Sequence, residues 1–135
     1  MNSSKIRNEV RKRVIEVCSI DPTKDLKLPG ETFDNSGKTL WVEEFLIGGE
    51  RRLMTNCRTR VSAFMVQYDF CTPVGSGMNV SEEKAMLVSD AFTGLSFSAD
   101  GADCLCKSVG ITRTEGKEKN SIKVLLTFDV NKPNG

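Results

Sequence analysis

The sequence predicts an α+β fold: a mostly antiparallel β-sheet with two main helices packed against it, in a single domain spanning 1–135. Three observations predict it. Two stretches carry apolar residues at three- and four-residue spacing, the mark of a helix with one buried stripe. Several others alternate apolar and polar in twos, as half-buried strands do. The order is helix, strands, helix, strands, which departs from the regular alternation of a parallel α/β sheet. At 135 residues, 39% hydrophobic and 27% charged, the chain has the size and composition of one ordinary globular domain.

The first helix is predicted over residues 4 to 18, where Ile6, Val10, Val14, Val17 and Cys18 form the stripe and Ser3 or Ser4 can cap the start. Lys5, Arg7, Arg11, Lys12 and Arg13 fall mostly off that stripe, with Glu9 four residues before Arg13. They read as a solvated, ion-paired face or as a basic surface meeting an acidic neighbour in an assembly. Residues 19 to 38 are rich in turns, at Asp21-Pro22, Leu28-Pro29-Gly30 and Asn35-Ser36-Gly37, with a short strand expected near Thr32-Phe33-Asp34.

Thr39 to Ile47 reads as a strand with both faces covered, because Leu40, Val42 and Leu46 alternate with Trp41, Phe45 and Ile47. Glu43 and Glu44 interrupt it. Adjacent on a strand, they point to opposite faces and cannot act together as an acid–base pair, so a surface ion pair or an intersubunit contact is expected. Gly48-Gly49 permits a tight turn, and Glu50 to Arg58 then form a loop or a projecting finger. The next strand, 59 to 72, sets Phe64, Val66, Tyr68 and Phe70 on one face and Val61, Ala63 and Met65 on the other, which makes it the central strand.

It ends in the loop Gly75-Ser76-Gly77. The second helix follows, with Asn79 three residues before Glu82 as a capping pair, Ala85, Val88, Phe92 and Leu95 as its stripe, and Gly94 as its stop. After a short piece at Ser96-Phe97-Ser98 and a turn at Asp100-Gly101, strands are expected from Cys104 to Thr112 and from Ser121 to Val130, joined by a polar hairpin over Thr114–Asn120. In the last strand Ile122, Val124, Leu126, Phe128 and Val130 face inward.

The residues offer little chemistry. There is no histidine, which removes Ser-His-Asp and Cys-His arrangements and the usual base near neutral pH. A net charge of +1 lacks the basic excess of a dedicated DNA-binding domain. No apolar run is long enough to cross a bilayer, and no apolar signal segment opens the chain, so the expectation is cytoplasmic synthesis without a membrane. Five cysteines, at 18, 57, 71, 104 and 106, are then expected as buried free thiols. Cys104 and Cys106 share one side of a strand, and a small thiol- or metal-dependent enzyme built on them is the rival of another class, although a structural metal site wants four ligands. The glycine loop could cradle an anion at a helix start, but it lacks a phosphate loop's glycine spacing and lysine, and Glu82 and Glu83 would repel a phosphate.

Trp41-Val42-Glu43 with Phe45 and Leu46, then Tyr68-Asp69-Phe70 leading to Thr72-Pro73-Val74-Gly75-Ser76-Gly77, then the helix with Ala85 and Phe92, resemble the tail terminator proteins of long-tailed, siphovirus-like bacteriophages. The resemblance runs from Ile6-Arg7 to Phe128-Asp129-Val130 and lies in order and spacing. It implies a structural virion protein of the tail's neck region, assembled in the host cytoplasm. Such a protein forms a homo-hexameric ring on the head-proximal end of the tail tube, ends tube polymerisation and offers a joining surface to the head connector. The implied partners are copies of itself, the tail tube protein and the neck protein, with DNA only as cargo passing through the lumen. No catalytic residue, metal or cofactor is implied. The contact candidates are Gly49, Arg51, Arg52 and Arg58 on the finger and Gly75 and Gly77 in the loop. A head-completion or tube protein is the nearest alternative.

Overall fold

A computed structural model describes residues 3–54 and 59–133, with side chains at residues 4–47 and 63–131. The elements are α1 (Ser3–Cys18), β1 (Leu26–Lys27), β2 (Trp41–Met54), β3 (Thr59–Pro73), α2 (Asn79–Phe92), β4 (Ser96–Ala99), β5 (Ala102–Glu115) and β6 (Lys119–Pro133). The fold is α+β. Six strands form one sheet in the order β1-β2-β3-β6-β5-β4; only β1–β2 is parallel. Both helices pack over the same face. Among the described residues no helix is long and apolar enough to cross a membrane.

Periodicity explains most of this. Ile6, Val10, Val14 and Cys18 of α1, and Ala85, Val88 and Phe92 of α2, are buried against Val66, Tyr68 and Phe70 of β3 and Ile122 to Val130 of β6. Phe128 is the hub: the rings of Phe64, Phe92 and Phe97 lie 6.2, 6.0 and 5.9 Å from its own, the last two edge-on, a geometry aromatic quadrupoles favour. The two helices are tied where α1 ends. Lys84 Nζ donates to the Cys18 carbonyl at 2.9 Å, and the Cys18 thiol donates to the Lys84 carbonyl at 3.5 Å. Asp100 and Gly101 both take positive φ (51° and 74°), as a two-residue hairpin between β4 and β5 requires.

Several expectations are corrected. No strand forms at Thr32–Asp34. The short strand is Leu26–Lys27, which pairs with Val42–Glu43 and is anchored by Val42 N–H donating to the Asp25 carbonyl at 2.8 Å. Gly48-Gly49 makes no turn; both lie within β2, opposite Met65 and Phe64, just past a bulge between Leu46 and Gly48. The finger is therefore an extension of the main sheet, since β3 pairs with β6 along its full length and β5 stays beside β6 as far as Asn131, in line with Arg52. Only beyond it, at Leu53–Met54, Thr59–Arg60 and Lys132–Pro133, are three strands left. Cover on both faces of β2 holds at Trp41–Glu44 but fails at Leu46 and Ile47, which are exposed. Asn79 is the first residue of α2, and the cap position falls to Met78 with no side-chain cap. Leu95 lies beyond the end of α2 and is only half-buried.

Candidate functional site

The two glutamates of β2 organise two polar clusters, one on each face of the sheet. On the helix face Glu44 is fully buried. Arg11 reaches down from α1, donating through Nε to Oε2 at 2.9 Å and through Nη2 to Oε1 at 2.5 Å, and the Tyr68 hydroxyl donates to Oε2 at 2.8 Å. This is the bidentate fork that suits a carboxylate removed from water. The hydrogen bond to Glu44 holds the Arg11 guanidinium still more firmly protonated. Burial, reinforced by the Glu44 charge, pushes the Tyr68 phenol well above its ordinary value, so it stays a donor. Arg7 brings a second guanidinium near, and its buried Nε has no hydrogen-bond partner.

On the opposite face Glu43 Oε2 accepts from Trp41 Nε1 at 2.9 Å and from Lys119 Nζ at 2.6 Å, with the Cys71 thiol 3.8 Å away. Burial pushes the Glu43 carboxyl up, but Lys119 and Trp41 outweigh it and leave it below the ordinary glutamate value. Asp69 faces Glu43 in register, with Lys123 on its other side in β6. Burial raises its carboxyl above the ordinary aspartate value, although Gln67 Nε2 donates to it at 2.8 Å. Burial also pushes the Cys71 thiol up to about 12.

The expected surface ion pair fails for Glu44, which is fully buried, whereas Glu43 does form an ion pair, with the partly exposed Lys119. Each is consumed inside its own chain, because two charges set in an apolar run must find partners once that run is buried. The acidic neighbour of Arg11 belongs to its own sheet. Glu82 pairs with Arg113 of β5, and Glu9 with Arg13 at 3.2 Å. Glu83, beside Glu82 in the first turn of α2, is exposed.

The contact candidates divide. Gly49, Arg51 and Arg52 lie in β2 opposite Phe64, Ser62 and Val61; Arg58, like Cys57, lies outside the described residues. Gly75 and Gly77 are exposed at positive φ (86° and 78°), and a Cβ added at either would meet no atom within 4 Å. Conformation, rather than space, demands glycine there. The turn is closed by Ser76 Oγ donating to the Pro73 carbonyl at 2.7 Å and Thr72 Oγ1 to the Gly77 carbonyl at 3.1 Å. Cys104 and Cys106 are buried side by side in register against Val130 and Phe128, and burial raises both thiols, Cys104 to about 11. Such thiols are poor nucleophiles near neutral pH. Among the described residues no three His, Cys, Asp or Glu side chains converge where an ion could be held.

Among the described residues, besides the single Leu105 on β5, exposed large apolar side chains fall in two groups. Val74, Val80, Met86, Leu87 and Ile111 are exposed around the outer side of α2 and the adjoining part of β5, where a groove of about 400 Å³ runs between helix and strand. Leu46 and Ile47 are exposed on β2 at the base of the finger, beyond the short strand β1.

No protein-family model matches this chain, and no curated protein matches it. Solved structures do: one, whose name states no function, covers 100% of this chain and 99% of its own, with a TM-score of 0.70 at 17% identity. At that identity the likeness shows the fold alone, and it extends over the whole chain.

Proposed function

We propose that this chain is a structural ring subunit of a phage tail: a terminator that caps the head-proximal end of the tail tube, ends its polymerisation and carries the surface that joins the head. The observation that supports this reading best is the pair of unlike apolar surfaces, one on α2 and β5 and the other at the base of the finger. A closed ring of identical subunits uses head-to-tail contacts, in which two different patches of each copy meet. An isolated enzyme has no use for a second such patch. The internal pairing of Glu43, Glu44 and Glu82 fits the same reading, since those charges hold the fold. Six copies around the tube, contacts to tube protein and head connector, DNA as passing cargo and a place in the virion neck all belong to this proposal. With a net charge of +1 the ring would grip moving DNA weakly.

Electron microscopy of particles made without the protein tests it. The expected product is overlong or head-free tails. Complete absence of tails would assign the chain to the tube instead, and normal virions would remove it from the tail altogether.

A further inference from the structure

The sheet ends in two long strands that are only partly covered. β1 pairs with β2 at Val42–Glu43 and no further, and β4 pairs with β5 at Ala102–Leu105 and no further. Among the described residues no strand lies on the outer side of β2 from Glu44 to Met54 or of β5 from Cys106 to Glu115, where Cys106 N–H bonds to the Leu95 carbonyl at 2.8 Å. Each long strand is bulged soon after its cover stops, between Leu46 and Gly48 and between Cys106 and Ser108. Open backbone of this length is a template for another strand unless it is blocked.

We infer that copies of this chain join edge to edge, with Ser108–Thr114 of β5 pairing antiparallel to Met54–Gly48 of a neighbour's β2. This deepens the ring reading and rests on it. Direction comes first. β2, β3, β6 and β5 are linked by three antiparallel steps, so β2 and β5 run oppositely, and continuing the sheet into an identical copy sets β5 antiparallel to the neighbour's β2.

Register comes next. Ile111 faces Val124 in β6, whereas Arg51 faces Ser62, which faces Val130. Matching Ile111 to Arg51 keeps the helix-side face of one copy continuous with that of the next and offsets the copies by six residues along β6. At that offset neither short strand obstructs: β1 of the neighbour falls past Glu115, and β4 falls past the neighbour's Met54. Six residues rise about 20 Å and four strands span about 19 Å, so the strands would tilt by about 45° to the ring axis, at the upper end of what closed sheets adopt.

Chemistry supports the same match. The groove beside the open β5 edge is lined by Ala85, Met86, Ile111 and Ile122, with Glu82 and Glu83 on its helix side and Arg113, paired with Glu82, on its strand side. The register sets Arg51 of the neighbour opposite Ile111, at the groove where Glu83 is exposed, and Thr112 opposite the neighbour's Glu50. Strand addition of this kind takes its affinity from main-chain hydrogen bonds and its selectivity from the pocket beneath.

Disulfide trapping in a Cys57→Ser background tests the pairing, because directly opposed residues in a sheet come within reach of a disulfide. Thr112→Cys and Glu50→Cys, oxidised as a mixture, are expected to give unlike cross-linked dimers, while each alone gives none. Both substitutions in one chain are expected to give a covalent ladder reaching the ring's copy number. Dimers from Thr112→Cys alone would overturn the inference in favour of a two-fold β5–β5 contact. A ring seen by light scattering, with no unlike cross-link, would overturn the edge pairing and leave the ring reading standing. A chain that stays monomeric both alone and with tail tube protein overturns both.

Discussion

Glu43 and Glu44 are neighbours in sequence and opposites in environment. Glu44 lies under α1 with no exposure, held by three donors from Arg11 and Tyr68, whereas Glu43 lies on the face away from the helices, buried beneath a lysine whose side chain is 35% exposed. The difference teaches how one strand can carry two charges for two purposes. Glu44 fixes where the first helix sits on the sheet. Glu43 fastens the β5–β6 hairpin, through Lys119, to a strand two positions away in the sheet.

The sharpest way to break the comparison is Glu44→Ala. It leaves the partly buried Arg11 guanidinium and the buried Tyr68 hydroxyl without their acceptor, and a loss of about 3 kcal/mol is expected from chemical denaturation. Replacing the group as a whole, with Glu44→Leu, Arg11→Met and Tyr68→Phe together, is expected to recover most of that loss, since a well-packed apolar cluster needs no desolvated charge. Failure to recover would mean that the pair does more than satisfy itself. Tyr68→Phe alone removes one donor of three and should cost about 1–2 kcal/mol.

Glu43→Gln is milder, about 1 kcal/mol, because water already screens Lys119. Its pH dependence is distinctive. Glu43 has a lowered pKa in the fold, so its contribution is present above the ordinary value of 4.5 and disappears as pH falls through the lower one. Asp69 runs the other way. Its raised pKa means that the native chain holds the proton longer than the unfolded chain, so stability falls as pH rises from 3.8 through that raised value. Asp69→Asn should therefore stabilise at pH 7, by less than about 1 kcal/mol, and do nothing at a pH below 3.8, as read by thermal melts across pH. A variant destabilised at pH 7 would show that the ionised carboxylate is needed where it stands.

The smallest expected effect on stability is charge reversal of Arg51 and Arg52 to glutamate. It is expected to leave stability within about 0.5 kcal/mol of the unaltered chain while lowering ring assembly measured by light scattering. Unchanged assembly would separate these arginines, unlike Arg11, from any charged partner.

The elements that the sequence makes legible are those whose cause is local. The strict alternation from Ile122 to Val130, the four-residue stripe from Ile6 to Cys18 and the positive-φ turn at Asp100-Gly101 each state their structure within a few residues. The polar clusters are not local: Arg11 lies 33 residues from Glu44, and Lys119 lies 76 from Glu43. A signal does exist. Two acids in the middle of an apolar run, with Trp41 nearby and Tyr68 on the facing strand, announce buried carboxylates in need of donors. The strand at Leu26–Lys27 is beyond reach, because two residues have no periodicity and only their pairing with β2 defines them. Of the contact candidates, Gly75 and Gly77 follow from turn chemistry. Gly49, Arg51 and Arg52 lie on an open edge, and that place depends on how far β1 extends along β2.

The central claim is that this chain exists to assemble with itself, and its mass in solution, measured by multi-angle light scattering alone and with tail tube protein, tests it most directly. A closed six-copy ring of 14.9 kDa subunits predicts a species near six times that mass in at least the tube-bound state. A particle that stays at 14.9 kDa in both conditions would contradict it.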